Sequence, residues 1–267
     1  MEESKLIEMI KMNPSIIKTI NNPTDEMKLL AIKKDGLAIE YIDNPTKEMQ
    51  ELAIENNARA IKYIKNPTED MMIKAIDEGW SMLDIIKNPT YNVIKLAINK
   101  SGWAIKYVEN PSEELQLLAV RKNYDSIKFI KEPYESVQEE AVKISYDALR
   151  YIKPASDRAQ IIAIKNNESA INFITNLDKN KMIDFLKTNI LVIKYISTKI
   201  SKDELEDVLK NVLSKEDVEE KYVRDFLNCT TIDKNSNIIS MDKIMFIYKY
   251  GSKKAKKITV DEKLKMI

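Results

Sequence analysis

Residues 44–65, NPTKEMQELAIENNARAIKYIK, form one complete copy of a 22-residue pattern that recurs along most of the chain. The period is marked by prolines spaced 22 residues apart: Pro23, Pro45, Pro67, Pro89, Pro111 and Pro133. Eight full copies lie between residues 22 and 197, here numbered repeat 1 (22–43) to repeat 8 (176–197), and residues 1–21 form a degenerate copy. A fixed period of this length predicts a repeat protein, in which each repeat buries its apolar face against its neighbours.

Apolar residues recur at fixed positions within the repeat and divide it into two helices. Counting from the first residue of each repeat, position 10 is alanine in seven repeats and position 11 is always Ile, Val or Leu. With position 6, these predict a first helix buried on two faces, while positions 17, 18, 20 and 21 predict a shorter second helix. Either the Asn or the Thr of Asn-Pro-Thr could cap the first helix. The sequence therefore predicts an all-α fold, an α-solenoid of stacked 22-residue helix-turn-helix repeats.

The period fails after about Ser197, so we expect a repeat region over residues 1–197 and a helical C-terminal region, or cap, over residues 198–267. The candidate helix starts in this second region are capping boxes at Ser201–Glu204 and Ser214–Asp217, and a cap at Ser240 for a helix that stops at Gly251. Thr230 to Asn237 is predicted to be a loop.

The composition limits the classes of function that the chain can have. It has no histidine and a single cysteine, Cys229, which excludes histidine-based nucleophilic pairs, the usual zinc ligands and an internal disulfide. The net charge of +1 produces no global field toward nucleic acid or membrane. Neither a signal peptide nor an apolar run approaching the ~20 residues of a membrane span is found. We expect a cytoplasmic protein that is not an enzyme and needs no cofactor.

The first candidate binding site is a set of cations at positions 19 and 22, near the ends of the second helices. Its members are Lys62, Lys65, Lys87, Lys106, Lys128, Lys131, Arg150, Lys153 and Lys194. Stacked repeats would align them in a stripe that could contact phosphates or an acidic protein surface. The alternative is that these cations are only solvated, because the helix dipole favours cations near a helix C-terminus, and Glu40 and Asp84 interrupt the series.

Aromatic residues provide a second candidate, an apolar edge at the turns between helices. Its members are Trp80, Trp103, Tyr124 and Tyr146, residue types that are enriched in interface hot spots. Packing between repeats is the alternative for this edge. Position 20 is also aromatic in seven of eight repeats, which predicts a structural series of rings, with an exposed aromatic groove as the alternative.

A third candidate is the basic segment near the C-terminus. Its members are Lys249, Lys253, Lys254, Lys256 and Lys257. Lysines at this density can bind nucleic acid. The alternative is that they only increase solubility.

The repeat, in the form NPTxEMxxLAIKxxGxAIKYIK, resembles a family of short helical repeats of unknown function in bacterial and phage proteins. The resemblance covers about residues 22–197 and brings no activity and no site residues. It implies a phage or mobile-element context, in which a compact repeat protein is similar to inhibitors of bacterial defence, anti-CRISPR proteins included. We therefore expect a protein that binds and inhibits a protein or ribonucleoprotein complex. The alternatives are direct binding of nucleic acid through the lysine stripe and a structural scaffold.

Overall fold

The computed structural model describes residues 3–264, in which each repeat consists of an α-helix followed by a short 3₁₀-helix. The α-helices of the repeats are α1 (Glu3–Met12), α2 (Asp25–Lys34), α3 (Lys47–Asn56), α4 (Glu69–Glu78), α5 (Tyr91–Lys100), α6 (Glu113–Lys122), α7 (Glu135–Ile144), α8 (Asp157–Asn166) and α9 (Lys179–Thr188). The 3₁₀-helices are η1 (Pro14–Thr19), η2 (Gly36–Tyr41), η3 (Ala58–Tyr63), η4 (Trp80–Asp84), η5 (Gly102–Tyr107), η6 (Tyr124–Phe129), η7 (Tyr146–Tyr151), η8 (Glu168–Phe173) and η9 (Ile190–Val192).

The chain divides into two compact units, Met1–Pro133 and Tyr134–Ile267. The first contains the degenerate copy and repeats 1 to 5. The second contains the rest of the repeats, which end in α10 (Ile193–Ile196), and the C-terminal helices α11 (Lys202–Leu213), α12 (Glu220–Asn228), α13 (Lys243–Tyr250) and α14 (Lys253–Leu264). Within each unit, successive α-helices of the repeats pack on each other, and the 3₁₀-helices do so in the series η1–η2–η3, η4–η5–η6 and η7–η8–η9. The predicted all-α repeat fold is confirmed.

The first and third residues of Asn-Pro-Thr have different structural roles. The hydroxyl of the third residue accepts a hydrogen bond from the backbone N–H three residues later and so caps the α-helix, as at Thr24, Thr46, Thr68, Thr90 and Ser112. The first residue adopts a left-handed backbone conformation in four repeats, with φ of 47° to 50°, at Asn22, Asn44, Asn88 and Asn110. Asparagine tolerates this conformation better than most residues. The choice between Asn and Thr as the cap is therefore settled for Thr.

The second helix of the repeat differs from the expectation because it is 3₁₀ and not α. A 3₁₀-helix advances 120° per residue, so positions three apart lie on the same side. Positions 18 and 21 form the buried side, as Ile61 and Ile64 illustrate, and positions 16 and 19 face solvent. Position 17 is buried beside them, as at Ala60. A 100° step would centre the buried face on positions 17 and 21. The observed buried face is instead formed by positions 18 and 21, with position 17 beside them.

The position-10 alanines lie at the closest approach of neighbouring repeats. All seven are fully buried, and the carbonyl oxygens of Ala53 and Ala119 would collide with a Cβ placed on Gly36 or Gly102 of the preceding repeat. Asparagines bridge the same junctions. Asn56 accepts a hydrogen bond from the Gly36 N–H (2.8 Å) and donates one to the Lys33 carbonyl (3.0 Å). The small residue therefore allows one repeat to pack closely on the next, as its column predicted.

Two of the three helix starts expected in the C-terminal region are wrong. The capping box of Ser201 and Glu204 is present at the start of α11. The box at Ser214 and Asp217 is not formed, because residues 215–218 form a turn that buries Val218, and α12 begins only after Glu219.

The remaining start, at Ser240, is displaced by a small element of sheet. Asp242, and not Ser240, caps α13, because Ser240 belongs to a two-residue strand, β2 (Ile239–Ser240), that pairs in parallel with β1 (Ile232–Asp233) inside the predicted loop. The helix does end at Gly251.

None of the helices in residues 3–264 combines the length and apolarity needed to cross a lipid bilayer.

Candidate binding surface on the 3₁₀-helices

The solvent-facing side of the 3₁₀-helices carries two of the three candidate sites. Because positions 16 and 19 are three residues apart, their side chains leave the helix in the same direction. Position 19 is exposed wherever it carries one of the candidate cations. In the first unit, η5 and η6 each contribute side chains from both the predicted stripe and the predicted edge, whereas η4 contributes only Trp80 of the edge.

Trp80, the first residue of η4, packs against the end of the next 3₁₀-helix, η5. Its ring centroid lies 6.2 Å from that of Tyr107. The ammonium of Lys106 lies 5.4 Å from the Trp80 ring centroid and 4.5 Å from that of Tyr107, within the range of a cation–π contact. In residues 3–264, no carboxylate lies within 4.0 Å of the Lys106 ammonium, and this cation contacts the two rings.

Trp103, in η5, makes the corresponding contact with η6. Its indole Nε1 donates a hydrogen bond to Asp125 Oδ1 (2.8 Å), and the Lys128 ammonium donates one to Asp125 Oδ2 (2.8 Å). The same ammonium lies 5.5 Å from the Trp103 ring and 5.1 Å from the Phe129 ring. Trp103 is nevertheless 41% exposed. Side chains of one repeat thus hold the tryptophan of the preceding repeat in an exposed position.

The Asp125 carboxyl is held in its charged form by this arrangement. Partial burial raises its pKa, but the hydrogen bonds from Lys128 and Trp103 and the charge of Lys128 outweigh that effect, and the pKa lies below its ordinary value. The contacts around Asp125 therefore persist throughout the neutral pH range. We call Trp80, Trp103, Lys106, Tyr107, Lys128 and Phe129 the ring–cation surface.

The second unit repeats this motif with different residues. The Tyr146 ring stacks on Phe173 of the next repeat, with centroids 6.4 Å apart and planes at 25°. The Arg150 guanidinium lies 5.0 Å from the Phe173 centroid and 3.8 Å from Asp147. Tyr124, the fourth residue of the predicted edge, is half-buried at the start of η6 in the first unit. Position-20 rings thus support neighbouring cations instead of filling the core.

The remaining members of the predicted stripe are dispersed. Lys194 is paired with Glu168 (3.0 Å), and Lys62 lies over Tyr63 (5.7 Å). Lys153 lines a cavity of about 280 Å³ in the second unit, with Phe173 and Lys181 among its other residues. The position-22 lysines of the first unit are exposed in turns, at Lys65, Lys87 and Lys131.

The third candidate, the basic segment, is helical. Lys249 lies in the last turn of α13, and Lys253, Lys254, Lys256 and Lys257 lie in the first half of α14. Two of its lysines lie over tyrosines of α13: Lys249 is 4.9 Å from the Tyr250 ring, and Lys256 is 5.8 Å from the Tyr248 ring.

Sequence reasoning separated residues that the fold brings together. The stripe and the edge were distinct candidates, yet Lys106 contacts Trp80, and Lys128 contacts Trp103. The 26- and 25-residue separations of these pairs join one repeat to the next. Asp125 was missed altogether. Its position three residues before Lys128 would have been the signal, because side chains three residues apart lie close together on both α- and 3₁₀-helices.

In residues 3–264, no three His, Cys, Asp or Glu side chains lie close enough to hold a metal ion. Comparison of the chain with family models, curated proteins and solved structures finds no match. The resemblance to short bacterial and phage repeats accordingly stays a prediction from the sequence.

Proposed function

We propose that the protein acts by binding another macromolecule, without catalysis, and that the ring–cation surface of its first unit contacts a protein or ribonucleoprotein partner. The observation that carries this proposal is the support of Trp103 by Asp125 and Lys128 of the next repeat, which leaves the ring exposed but fixed in orientation. Tryptophan and tyrosine are enriched in the hot spots of protein interfaces, and neighbouring cations add electrostatic attraction to an acidic partner. Preorganisation also reduces the entropy lost on binding.

A protein surface suits this chemistry better than the bases of a nucleic acid. Base recognition by stacking needs open ring faces. Here Lys106 and Lys128 already lie over the faces of the tryptophans, and Asp125 neutralises part of the positive charge. An acidic or polar protein patch can contact both the cations and the ring edges without displacing these contacts.

Affinity purification of the tagged full-length protein from a bacterial lysate, with and without nuclease, tests the proposal. We expect a stoichiometric protein that survives nuclease treatment and is lost with Trp103→Ala. Truncating a central aromatic residue costs roughly 2 kcal/mol, or about 30-fold in affinity. The control is Tyr91→Ala, because Tyr91 is similarly exposed (45%) in the same repeat but lies in α5, outside the ring–cation surface.

Equal losses from the two substitutions, or recovery of only nuclease-sensitive material, would contradict the proposal. A narrower form of it is that the partner belongs to a bacterial defence complex, as the repeat resemblance suggests. Expression in a strain with an active defence system would then restore infection by a restricted phage, and Trp103→Ala would abolish this effect while Tyr91→Ala would not.

Direct nucleic-acid binding is the second candidate, and one observation favours it. Within the described residues, six of the candidate cations have no carboxylate within 4.0 Å: Lys62, Lys65, Lys87, Lys106, Lys131 and Lys153. Binding to phosphates would weaken steeply with salt. A titration against single-stranded RNA at several salt concentrations separates the candidates, with Lys106→Glu as the variant and Lys122→Glu, on the α-helical side of the repeats, as its charge-matched control.

A further inference from the structure

The last two helices expose an unusual amount of apolar side chain. On α13, Ile244, Met245 and Tyr248 are exposed, Met245 to 59% and Tyr248 to 72%. Tyr248 lies four residues after Ile244 and three after Met245, so it shares a face of the helix with both. On α14, Val260 and Leu264 are exposed and also four residues apart. Exposed apolar groups that cluster in this way mark interaction sites.

Met245 and Tyr248 line a groove of about 570 Å³ between α13 and the start of α11. Its other walls include Lys202 of α11 and Met241, Phe246 and Lys249. Phe246 anchors the wall, because its ring packs edge-on against the fully buried Phe226 (6.2 Å). The groove thus has a fixed floor and a rim that includes flexible Met and Lys side chains, a combination that adapts to an inserted helix.

Positive charge is concentrated on the same helices. Residues 241–264 contain seven lysines against three acidic residues, an excess of four, whereas the whole chain has a net charge of only +1. Six of the seven lysines are exposed; the exception, Lys243, has a largely buried side chain and bonds to the Cys229 carbonyl. Lys249, beside the groove, is charged at neutral pH as an ordinary lysine is, and a hydrogen bond with Tyr250 raises its pKa further.

We propose that the groove between α11 and α13 binds an acidic amphipathic helix of a partner protein, with the apolar face of that helix on Met245 and Tyr248 and its carboxylates on Lys202, Lys249 and Lys256, whose ammonium lies 5.8 Å from the Tyr248 ring. This proposal involves none of the residues of the ring–cation surface. It would therefore stand even if no partner bound to the ring–cation surface.

Two features favour a peptide over a phosphate-rich surface. Met and Phe side chains gain nothing from phosphates, and Met241, Met245 and Phe246 line the groove. Glu206 and Asp242 also line the groove and would repel phosphates of nucleic acid or lipid headgroups. A peptide helix can place an uncharged or basic residue opposite these two carboxylates while its acidic residues contact the lysines.

The test is a display selection on the full-length protein with two pools of 15-residue peptides. Both pools vary Leu, Ile, Phe, Met and Trp at helical spacing of three and four residues. One pool carries Glu and Asp at the other positions and the second carries Lys and Arg. We expect enrichment from the acidic pool alone. The selected peptides should bind by calorimetry at least tenfold more weakly to the double variant Met245→Ser, Tyr248→Ser, whose exposed positions allow substitution without loss of the fold.

Charge contributes separately and has its own variant. Lys249→Glu should weaken the selected peptides several-fold, and more at low salt, whereas Lys33→Glu, an exposed substitution of equal charge in α2, should not. No enrichment, equal enrichment from the basic pool, or equal binding to the double variant would overturn the proposal. So would binding of anionic vesicles or RNA that depends on Met245 and Tyr248 while the acidic peptides fail to bind.

Discussion

Gly102, the first residue of η5, faces the carbonyl oxygen of Ala119 in the next repeat. A Cβ at this position would collide with that oxygen and lie 3.2 Å from the Asn123 nitrogen. Because both obstacles are backbone atoms, the helices must separate to accommodate alanine. We predict that Gly102→Ala lowers the free energy of unfolding by about 1–3 kcal/mol, measured by urea denaturation.

Gly79 provides the matched control, since it occupies the turn before η4 without crowding. Its φ of 175° is extended backbone, and the atom nearest to a Cβ placed on this glycine would be Ser81 Oγ, at 3.9 Å. Gly79→Ala should leave stability unchanged or raise it by about 0.4–1 kcal/mol, because alanine restricts the unfolded chain. Similar losses from both substitutions would mean that close approach is not the reason for glycine at position 15.

Glu204, in the capping box of α11, gives the fold a pH dependence of known sign. A hydrogen bond from Lys179, followed by bonds from the Ser201 backbone and hydroxyl, lowers its pKa from 4.5 to about 2. Because the folded pKa is depressed, the stabilisation is complete above about pH 4.5 and is lost as pH falls toward 2. We predict that the melting temperature of Glu204→Gln falls less steeply than that of the wild type over this interval.

The comparison needs a second acidic residue from the same helical turn. Asp203 is exposed, and Asp203→Asn should retain the wild-type slope if the bonds to Glu204 are responsible. An identical slope for the wild type and Glu204→Gln would show that the capping box does not couple to pH.

The turns that join successive repeats depend on a left-handed residue. Asn44 has φ of 50°, whereas Asn66, at the same position of the next repeat, does not have a positive φ. Asn44→Ala should therefore destabilise the protein by about 1–2 kcal/mol, the cost of placing an L-residue with a Cβ in this region. Asn66→Ala should cost less. Thermal unfolding of the two variants under one set of conditions checks the order, and the reverse order would contradict the argument.

At the scale of elements, the sequence predicted both the position and the type of the first helix of each repeat. For the second helix it predicted the position but not the 3₁₀ type. The first helix has ten residues, a Thr or Ser cap and buried positions 6, 10 and 11, all of which follow from side-chain pattern. The second has six residues, too few for the apolar pattern to distinguish a step of 100° from one of 120°. The error concerned the candidate site, because the 3₁₀-helices carry Lys106, Lys128 and the rings beside them.

The C-terminal region was harder to predict because its sequence does not repeat. A local pattern there cannot be checked against equivalent positions in other repeats. Ser214 and Asp217 have the residue types of a capping box, but burial of Val218 requires a turn there. The groove on α13 was also missed. The sequence identified the lysines of this segment, whereas Met245 and Tyr248 have the residue types of core positions and only the structure places them at the surface.

For the molecule as a whole, the 22-residue period should permit the deletion of one complete repeat. Each α-helix in the first unit packs against its own 3₁₀-helix and against the neighbouring repeat. Deleting residues 44–65 preserves the register of positions 10 and 11, so α2 can pack on α4 through equivalent columns. We predict a folded, less stable protein in which hydrogen exchange still protects α2 and α4. Deleting only residues 44–54 breaks the register and should abolish that protection; equal protection in both would contradict nearest-neighbour stacking.

The ring–cation surface contains both tryptophans of the chain, Trp80 and Trp103. Each indole lies beneath a lysine ammonium, and one also bonds to a carboxylate. Indole emission responds to nearby charge and hydration, so the intrinsic fluorescence of the protein is a reporter of this surface and of little else. A ligand there would shift the emission maximum without any attached dye. A ligand in the groove of α13 would directly affect only the emission of tyrosines such as Tyr248. Tryptophan and tyrosine emission, which differ in wavelength, would therefore distinguish ligands at the two surfaces.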